Sequence, residues 1–551
     1  MRMTGGEAVV RSLEANGVTT VFGIPGTHNL AIYDALLDSD IRHVTARHEQ
    51  GAAFMADGYA RASGQVGVCL CTSGPAILNA AASLGTAYCD SSPVLCVASQ
   101  IPSDGIGKEK GYIHECRDQL ACLQPVTAWC ERADTVTAIP DVLHKAFTIM
   151  QTGRPRPVAI EVPCDILDAV DEVTTFAAAG IDRLSPPPEQ IEQAFSLLTT
   201  ARRPLIWSGG GVILSDASDE LRQLAEHLQA PVCTTVQGKG ALAADHPLLV
   251  GSGVVHPIGE EFLRQCDVML AVGTRFTQED TNNWTLPLPK SLIHIDVDAE
   301  EHGRNYAPEV TLLGDARESL RALYARFLSG PARHGTNRVA EVANVRRRIL
   351  EDCRDIAPAG VELISTLRDA LPRDTLVVSD LTLAAYWCRR LLDVYEPRTN
   401  IYPWGFCTLG FGLSAAIGAR VACPDRPLVV ITGDAGFQFN IQELATAVEC
   451  ELQMVVLLFN NSGFGVLKPQ QLARYERTLA ADLMNPDFVA LAQAYGVSAK
   501  RVSSLDQLGP AVSAAINSGQ TTVLEVTADI PLPVMEPAAR DWHNAALRLS
   551  T

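Results

Sequence analysis

At 551 residues the chain is too long for one hydrophobic core, and its length predicts about three domains. With 47% apolar and 19% charged residues, global disorder is not expected, and a net charge of −19 argues against a general nucleic-acid surface, which needs clustered Lys and Arg to displace counterions. No apolar run approaches the roughly 20 residues that span a bilayer, and MRMTGGEAVVRSLEANG reads as an amphipathic helix rather than a signal sequence, so a cytoplasmic protein without a membrane partner is expected.

In chain order, the apolar runs VTTVFGI, QVGVCL, PVLCVAS and PVAIEV alternate with helical patterns, which predicts parallel α/β layering. FGIPGTHNLAIYDAL places His28 at a turn after the first of these strands. Its titration range suits proton shuttling, and a single turn hydrogen bond at a helix entry is the plain alternative. ARHEQGAAFMADGYARASG sets Glu49 at the entrance to a small-residue helix, where a carboxylate also serves as an ordinary helix-start residue; His48 beside it reads as structural. GKEKGYIHECRDQ carries His114 in a polar loop. Three consecutive prolines in AAAGIDRLSPPPE cannot continue a helix and mark a boundary near Gly180 to Pro188, giving a first domain over 1–180.

PLIWSG, VMLAVG and LIHIDV supply strands for a second domain over 188–335, Rossmann-like in its layering. Its GGGVILSDASDELRQLAE fails the dinucleotide fingerprint, because Leu214 occupies the third glycine position after Gly209 and Gly211. The basic run Arg346 to Arg348 falls in a predicted helical linker, where a solvated face is expected.

The last domain, 355–535, holds IYPWGFCTLGFGLSAAIGA, a Gly-rich turn feeding an Ala-rich helix, and then PLVVITGDAGFQFNIQELATAVECELQMVVLLFNNSGFG. A buried strand ending in Gly433-Asp434 puts a carboxylate at the carboxyl edge of a parallel sheet, where open α/β sheets bind ligands. The next strand ends in Asn461, so two oxygen ligands suited to Mg²⁺ converge. Small residues at Ala435, Gly436, Gly463 and Gly465 let backbone amides approach phosphates. Gly-Asp and Asn-Asn are also common turn residues. A Pro-rich tail is expected to pack on the surface. The fifteen cysteines are an odd number without a CxxC pair, and Cys69, Cys71 and Cys96 lie in strand patterns, so they read as reduced core residues rather than zinc ligands.

GDAGFQFNIQELATAVE with FNN, RHEQGAAFMADGYAR and the Leu409 turn together resemble the thiamin-diphosphate superfamily of acetolactate synthase, benzoylformate decarboxylase and benzaldehyde lyase, over nearly the whole chain. Ala435 stands where that motif has Gly. The resemblance implies three parallel-sheet α/β domains: pyrimidine-binding, central Rossmann-like and diphosphate-binding. It implies that Asp434, Asn461 and the Gly463 carbonyl hold Mg²⁺ against the diphosphate, which Gly433, Ala435, Gly436, Phe464 and Gly465 line. Glu49 would hydrogen-bond N1′ of the aminopyrimidine and so favour the tautomer whose N4′ removes the C2 proton. The Cys407 carbonyl would accept from N4′, the Leu409 amide would donate to the pyrimidine, and the Leu409 side chain would bend the cofactor; plain core is the alternative for Leu409.

His28 resembles the histidine of benzaldehyde lyase and the 2-ketoarginine decarboxylase type, and His114 matches a family loop that supplies a polar active-site residue. Gln470 replaces the Trp of the acetolactate synthase acceptor pocket, and Lys468 and the Glu115 to Asp118 stretch are further substrate-facing candidates. AVGTRF and HIDVD resemble the central domain of acetolactate synthases, which often carry FAD. TQEDTNNW replaces the usual Arg-containing stretch and leaves Arg275 as the principal candidate, so FAD is not favoured. The expected activity is thiamin-diphosphate- and Mg²⁺-dependent decarboxylation of a small-molecule 2-oxo acid, with or without carboligation, by a 2-ketoarginine decarboxylase-like enzyme. Acetolactate synthase is the runner-up, and a cofactor-binding scaffold without catalysis is the non-enzyme alternative. A hydrolase lacks its GxSxG elbow. Because the family places the Glu49 domain against the Asp434 domain of another subunit, a homodimer or homotetramer is implied.

Overall fold

The computed structural model describes residues 1–176, 182–330 and 335–535. Apolar strand runs separated by helices fold into three six-stranded sheets, each wholly parallel and covered by helices. In the N-terminal sheet the spatial order is Arg42–Thr45, Thr20–Gly23, Gly67–Cys71, Val94–Gln100, Val158–Pro163 and Trp129–Arg132. The C-terminal sheet runs Asn400–Ile401, Leu376–Ser379, Leu428–Gly433, Val455–Phe459, Thr522–Val526 and Ser498–Val502. Numbered along the chain, both have the order 2-1-3-4-6-5, so the first and last thirds of the chain share one topology. The central sheet has the order 3-2-1-4-5-6 of a Rossmann fold.

This topology dictates where sites form. Strand order reverses between the first and third strands of the two outer sheets, and a crevice opens there beyond the carboxyl ends. His28 and Ser73 follow the two strands flanking the N-terminal crevice; Asp380 and Asp434 follow their counterparts in the C-terminal sheet.

The outer domains of one chain pack through their small-residue helices, Glu49–Ser63 against Phe411–Ala422. A Cβ on Gly58 would sit 1.9 Å from the Ala415 carbonyl oxygen and one on Gly418 would sit 1.8 Å from that of Met55, so both positions require glycine. Beside this crossing, Arg61 pairs with Asp57 at 2.8 Å and Asp90 at 3.1 Å and donates to the Tyr402 carbonyl. Asp90 also accepts from the amides of Trp404 and Gly405, both at 2.8 Å.

Three expectations need correction or a limit. The N-terminal helix begins at Gly5, not at the first residue: Thr4 caps it in a reciprocal pair with Glu7, and Arg2–Thr4 instead form a strand against Val170–Glu172. The tail does not lie on the surface as far as Met535. Ile530, Val534 and Met535 are buried in the core shared by the central and C-terminal domains, Leu532 is buried too, and Trp387 Nε1 donates to the Pro531 carbonyl. Of the boundary expected near Gly180 to Pro188, residues 177–181 lie outside the described residues and Pro188 opens the helix Pro188–Thr200; the tail beyond Met535 also lies outside them. Arg346 to Arg348 lie on the helix Val339–Ile356, each facing a carboxylate: Asp393, Glu351 and Glu261.

Candidate active site

Asp434 opens the helix Asp434–Phe439 directly after its strand and is buried. Its Oδ2 accepts from the Gly463 amide at 3.0 Å and from Asn485 Nδ2 at 2.6 Å. Burial raises its pKa, an effect opposed by those two donors and the Ala435 amide. The facing strand ends at Phe459, two residues short of Asn461, and the intervening turn decides which asparagine is available. Asn460 is consumed internally, donating to Glu525 and accepting from the Ser462 amide and Asn485. Asn461 is exposed and forms no side-chain hydrogen bond among the described residues. Ser462 adopts φ 57°, which turns the chain so that Gly463 faces Asp434.

Glycines make this cluster compact. A Cβ on Gly465 would meet Asn461 Nδ2 at 2.5 Å, and one on Gly436 would meet Asp380 Oδ1 at 3.1 Å. Gly433 closes the strand, Ala435 begins the helix, and the Phe464 amide ties the loop to the Ala481 carbonyl at 2.9 Å. A buried carboxylate, an uncommitted amide side chain and a glycine-lined cradle at a switch point form a donor set that fits Mg²⁺ and a diphosphate.

Cys407 and Leu409 lie on the loop that Asp90 anchors. Cys407 has φ 53° and an exposed side chain, whose thiol donates to the Trp404 carbonyl. Leu409 is partly exposed and belongs to none of the packed core clusters, which argues against a plain core role. Asp380 holds the loop from beneath, accepting at Oδ2 from Gly410 at 3.1 Å and Gly412 at 3.0 Å. Burial pushes its carboxyl up to about 6.

On the N-terminal sheet, Glu49 starts its helix with His48 as the cap, His48 Nδ1 accepting from the Gln50 amide at 3.1 Å. Glu49 Oε2 accepts from Asn79 Nδ2 at 2.9 Å. His28 Nδ1 lies 2.5 Å from Ser73 Oγ, and the His28 and His114 rings meet edge to face with centroids 5.6 Å apart. Burial, then the neighbouring His114, lowers the His28 pKa. His114 Nδ1 is buried without a partner, and its residue sits at φ 62°. Gln119 fixes the turn from below, accepting from the Gly74 amide and donating to buried Glu161. His28, Ser73 and His114 thus form one cluster on the N-terminal domain, Glu49 pairs with Asn79, and Asp434 and Gly463 meet on the C-terminal domain; among the described residues the Glu49 and Asp434 carboxylates share no hydrogen-bond partner.

Other candidates are occupied. Glu115 accepts from the amides of Lys110, Gly111 and Tyr112, Asp118 caps the helix Gln119–Leu123, and Lys468 pairs with Asp482 at 2.6 Å. Gln470 lies on the solvent-facing helix Leu467–Tyr475. Sequence reasoning missed Asn79, Ser73, Asp380 and Asn485. Asp380 carried a usable signal, because VVSD ends an apolar strand in the same way as ITGD.

A cavity of about 620 Å³ opens at the switch point of the central sheet, beside Gly211, Gly273, Arg275 and Asp296. Arg275 donates to the Cys89 carbonyl, Arg154 pairs with Glu301 at 2.8 Å while its Nη2 is buried without a hydrogen-bond partner among the described residues, and Arg398 pairs with Asp216 at 2.9 Å.

The comparisons agree with this geometry. Residues 3–122 match the thiamine pyrophosphate enzyme N-terminal TPP-binding domain, 191–323 the central domain and 380–526 the C-terminal TPP-binding domain. The chain belongs to the thiamine pyrophosphate enzyme family. It is 39% identical over 527 residues to a probable 2-ketoarginine decarboxylase of Pseudomonas aeruginosa, covering 95% of this chain and 94% of that protein. It is 37% identical to a probable acetolactate synthase large subunit of Methanocaldococcus jannaschii, with 98% and 94% covered. With the acetolactate synthase isozyme 2 large subunit of Escherichia coli the identity is 33%, with 96% of each covered.

Proposed function

We propose that the protein decarboxylates a 2-oxo acid using thiamin diphosphate and Mg²⁺. When bound, thiamin diphosphate would supply a carbon nucleophile and, in its thiazolium ring, an electron sink for the loss of CO₂. Asp434, Asn461 and the Gly463 carbonyl bind the metal, and Gly433, Ala435, Gly436, Phe464 and Gly465 admit the diphosphate. Cys407 and Leu409 orient the pyrimidine, whose N1′ meets Glu49. His28 and His114, whose rings meet edge to face, are assigned the delivery of a proton to the product carbon. FAD is not favoured, because TQEDTNNW stands where related central domains have an Arg-containing stretch and leaves Arg275 as the principal candidate. The working division is 1–180, 188–335 and 355–535, in a cytoplasmic homodimer or homotetramer whose Glu49 serves the partner's cofactor.

The observation that carries this reading is the matched pair of crevices. The two outer sheets share one strand order and open a crevice at the same switch point, with His28 and Ser73 after the flanking strands of one and Asp380 and Asp434 after those of the other, while Glu49 follows the adjoining edge strand. The first substrate to assay is 5-guanidino-2-oxopentanoate, since the similar Pseudomonas protein is named for 2-ketoarginine. Acetolactate synthesis from pyruvate is the second reading, supported by the names of several other relatives and weakened by Gln470. CO₂ release measured across a panel of 2-oxo acids, with aldehyde and acyloin products identified, separates the two. Release from none of them, with thiamin diphosphate bound, would leave a non-catalytic scaffold.

A further inference from the structure

Glu443 is fully buried nine residues beyond Asp434, and the mechanism above makes no use of it. Its carboxylate reaches out of the C-terminal domain to the segment that enters the Glu49 helix. The Arg47 amide donates to Oε1 at 3.0 Å and lies 3.1 Å from Oε2, and the His48 amide donates to Oε1 at 3.0 Å. Thr446 Oγ1 sits 2.8 Å from Glu443 Oε2 and 2.9 Å from the Thr45 carbonyl, and the Arg47 guanidinium pairs with Glu449. Every residue from Thr45 to His48 except Ala46 is therefore tied to the other domain.

The first turn of the helix is shaped around this carboxylate. A Cβ on Gly51 would lie 2.4 Å from Glu443 Oε1. A negative group at the N-terminus of a helix also complements its unpaired amides and dipole. Burial raises the Glu443 pKa against the donors that surround it. A buried carboxylate is costly unless fully hydrogen-bonded, and here its donors are the two amides immediately before Glu49.

We propose that Glu443 is the positioning residue for Glu49, fixing where the pyrimidine-facing carboxylate stands. This rests on the thiamin diphosphate reading and adds to it a residue that touches neither cofactor nor substrate. Losing the anchor frees the helix entrance, and a displacement of about 1 Å at a catalytic group can cost about a hundredfold in rate.

The test compares wild type, Glu443→Gln and Gly51→Ala. The glutamine keeps the size but removes the negative charge and puts an N–H₂ group where Oε2 now stands, 3.1 Å from the Arg47 amide. The alanine leaves the carboxylate in place and pushes on it from the helix side. In the apoprotein, amide hydrogen exchange over 45–51 should accelerate about tenfold or more in both variants, while the Asp434 segment exchanges as in wild type. In the loaded protein, exchange of the cofactor C2 proton should fall about a hundredfold, with Mg²⁺-dependent thiamin diphosphate affinity changed only a few-fold. The double variant should be little worse than either single one. Wild-type exchange in both variants, or a defect that is only a uniform loss of fold or cofactor binding, overturns the assignment. A wild-type protein that itself never exchanges the C2 proton overturns the thiamin diphosphate reading instead.

Discussion

Asn79 Nδ2 donates to Glu49 Oε2 at 2.9 Å, from one helix of the N-terminal domain to the first residue of another. The bond restrains the carboxylate through Oε2 and leaves Oε1 without a hydrogen-bond partner among the described residues.

Replacing Asn79 with Ala should therefore slow C2-proton exchange about tenfold, the worth of one hydrogen bond to a charged acceptor. Thiamin diphosphate affinity should change little. Exchange kinetics and calorimetric titration of the same preparation check both parts.

At the other end, Asp434→Ala should abolish Mg²⁺-dependent cofactor binding. Asn485→Ala removes the donor 2.6 Å from Asp434 Oδ2 and should weaken binding about tenfold to a hundredfold, the range for a partner that orients a metal ligand. Titration of thiamin diphosphate with and without a chelator gives the values.

Asp380 predicts a signed pH effect on stability. Its folded value of about 6 lies above its ordinary 3.8, so between those values the folded state holds a proton that the unfolded chain has released. Stability contributed by this group thus falls as pH rises from about 4 to about 6, and then stays level at a cost of about 3 kcal/mol. Urea unfolding of the apoprotein should show Asp380→Asn gaining on wild type across that interval. A constant difference would contradict the assignment.

His28 predicts a limb in the pH profile. Burial and His114 lower its pKa below the ordinary 6.5, so a proton-donating His28 should make kcat rise as pH falls through that lowered value and fall again towards neutrality. In His28→Ala that limb should vanish and kcat should fall about a hundredfold, a typical loss for a positioned proton donor.

Much of this site was legible because its elements are local. Gly433-Asp434 after an apolar strand, Glu49 before a small-residue helix and the Gly-rich turn at Leu409 each carry their placement within a few residues. What was not legible depends on distance along the chain. Asn485 lies 51 residues beyond the carboxylate it touches, Glu443 lies 395 residues beyond His48, and Asp380 reaches 30 and 32 residues to Gly410 and Gly412. The tail was misplaced because its prolines suggested exposure, while its alternating Ile530, Leu532 and Val534 were what the core selected. Glu115 and Asp118 looked available because a loop carboxylate and a cap cannot be told from substrate ligands without their partners.

The most direct test of the shared site pairs two inactive variants. Glu49→Gln and Asp434→Ala are co-expressed with different tags, the mixed dimer is isolated through both, and CO₂ release from a 2-oxo acid is measured. If Glu49 of one subunit and Asp434 of its partner serve one cofactor, the mixed dimer holds one intact site and should recover about half of wild-type activity per dimer. A mixed dimer as inactive as its parents would contradict that arrangement.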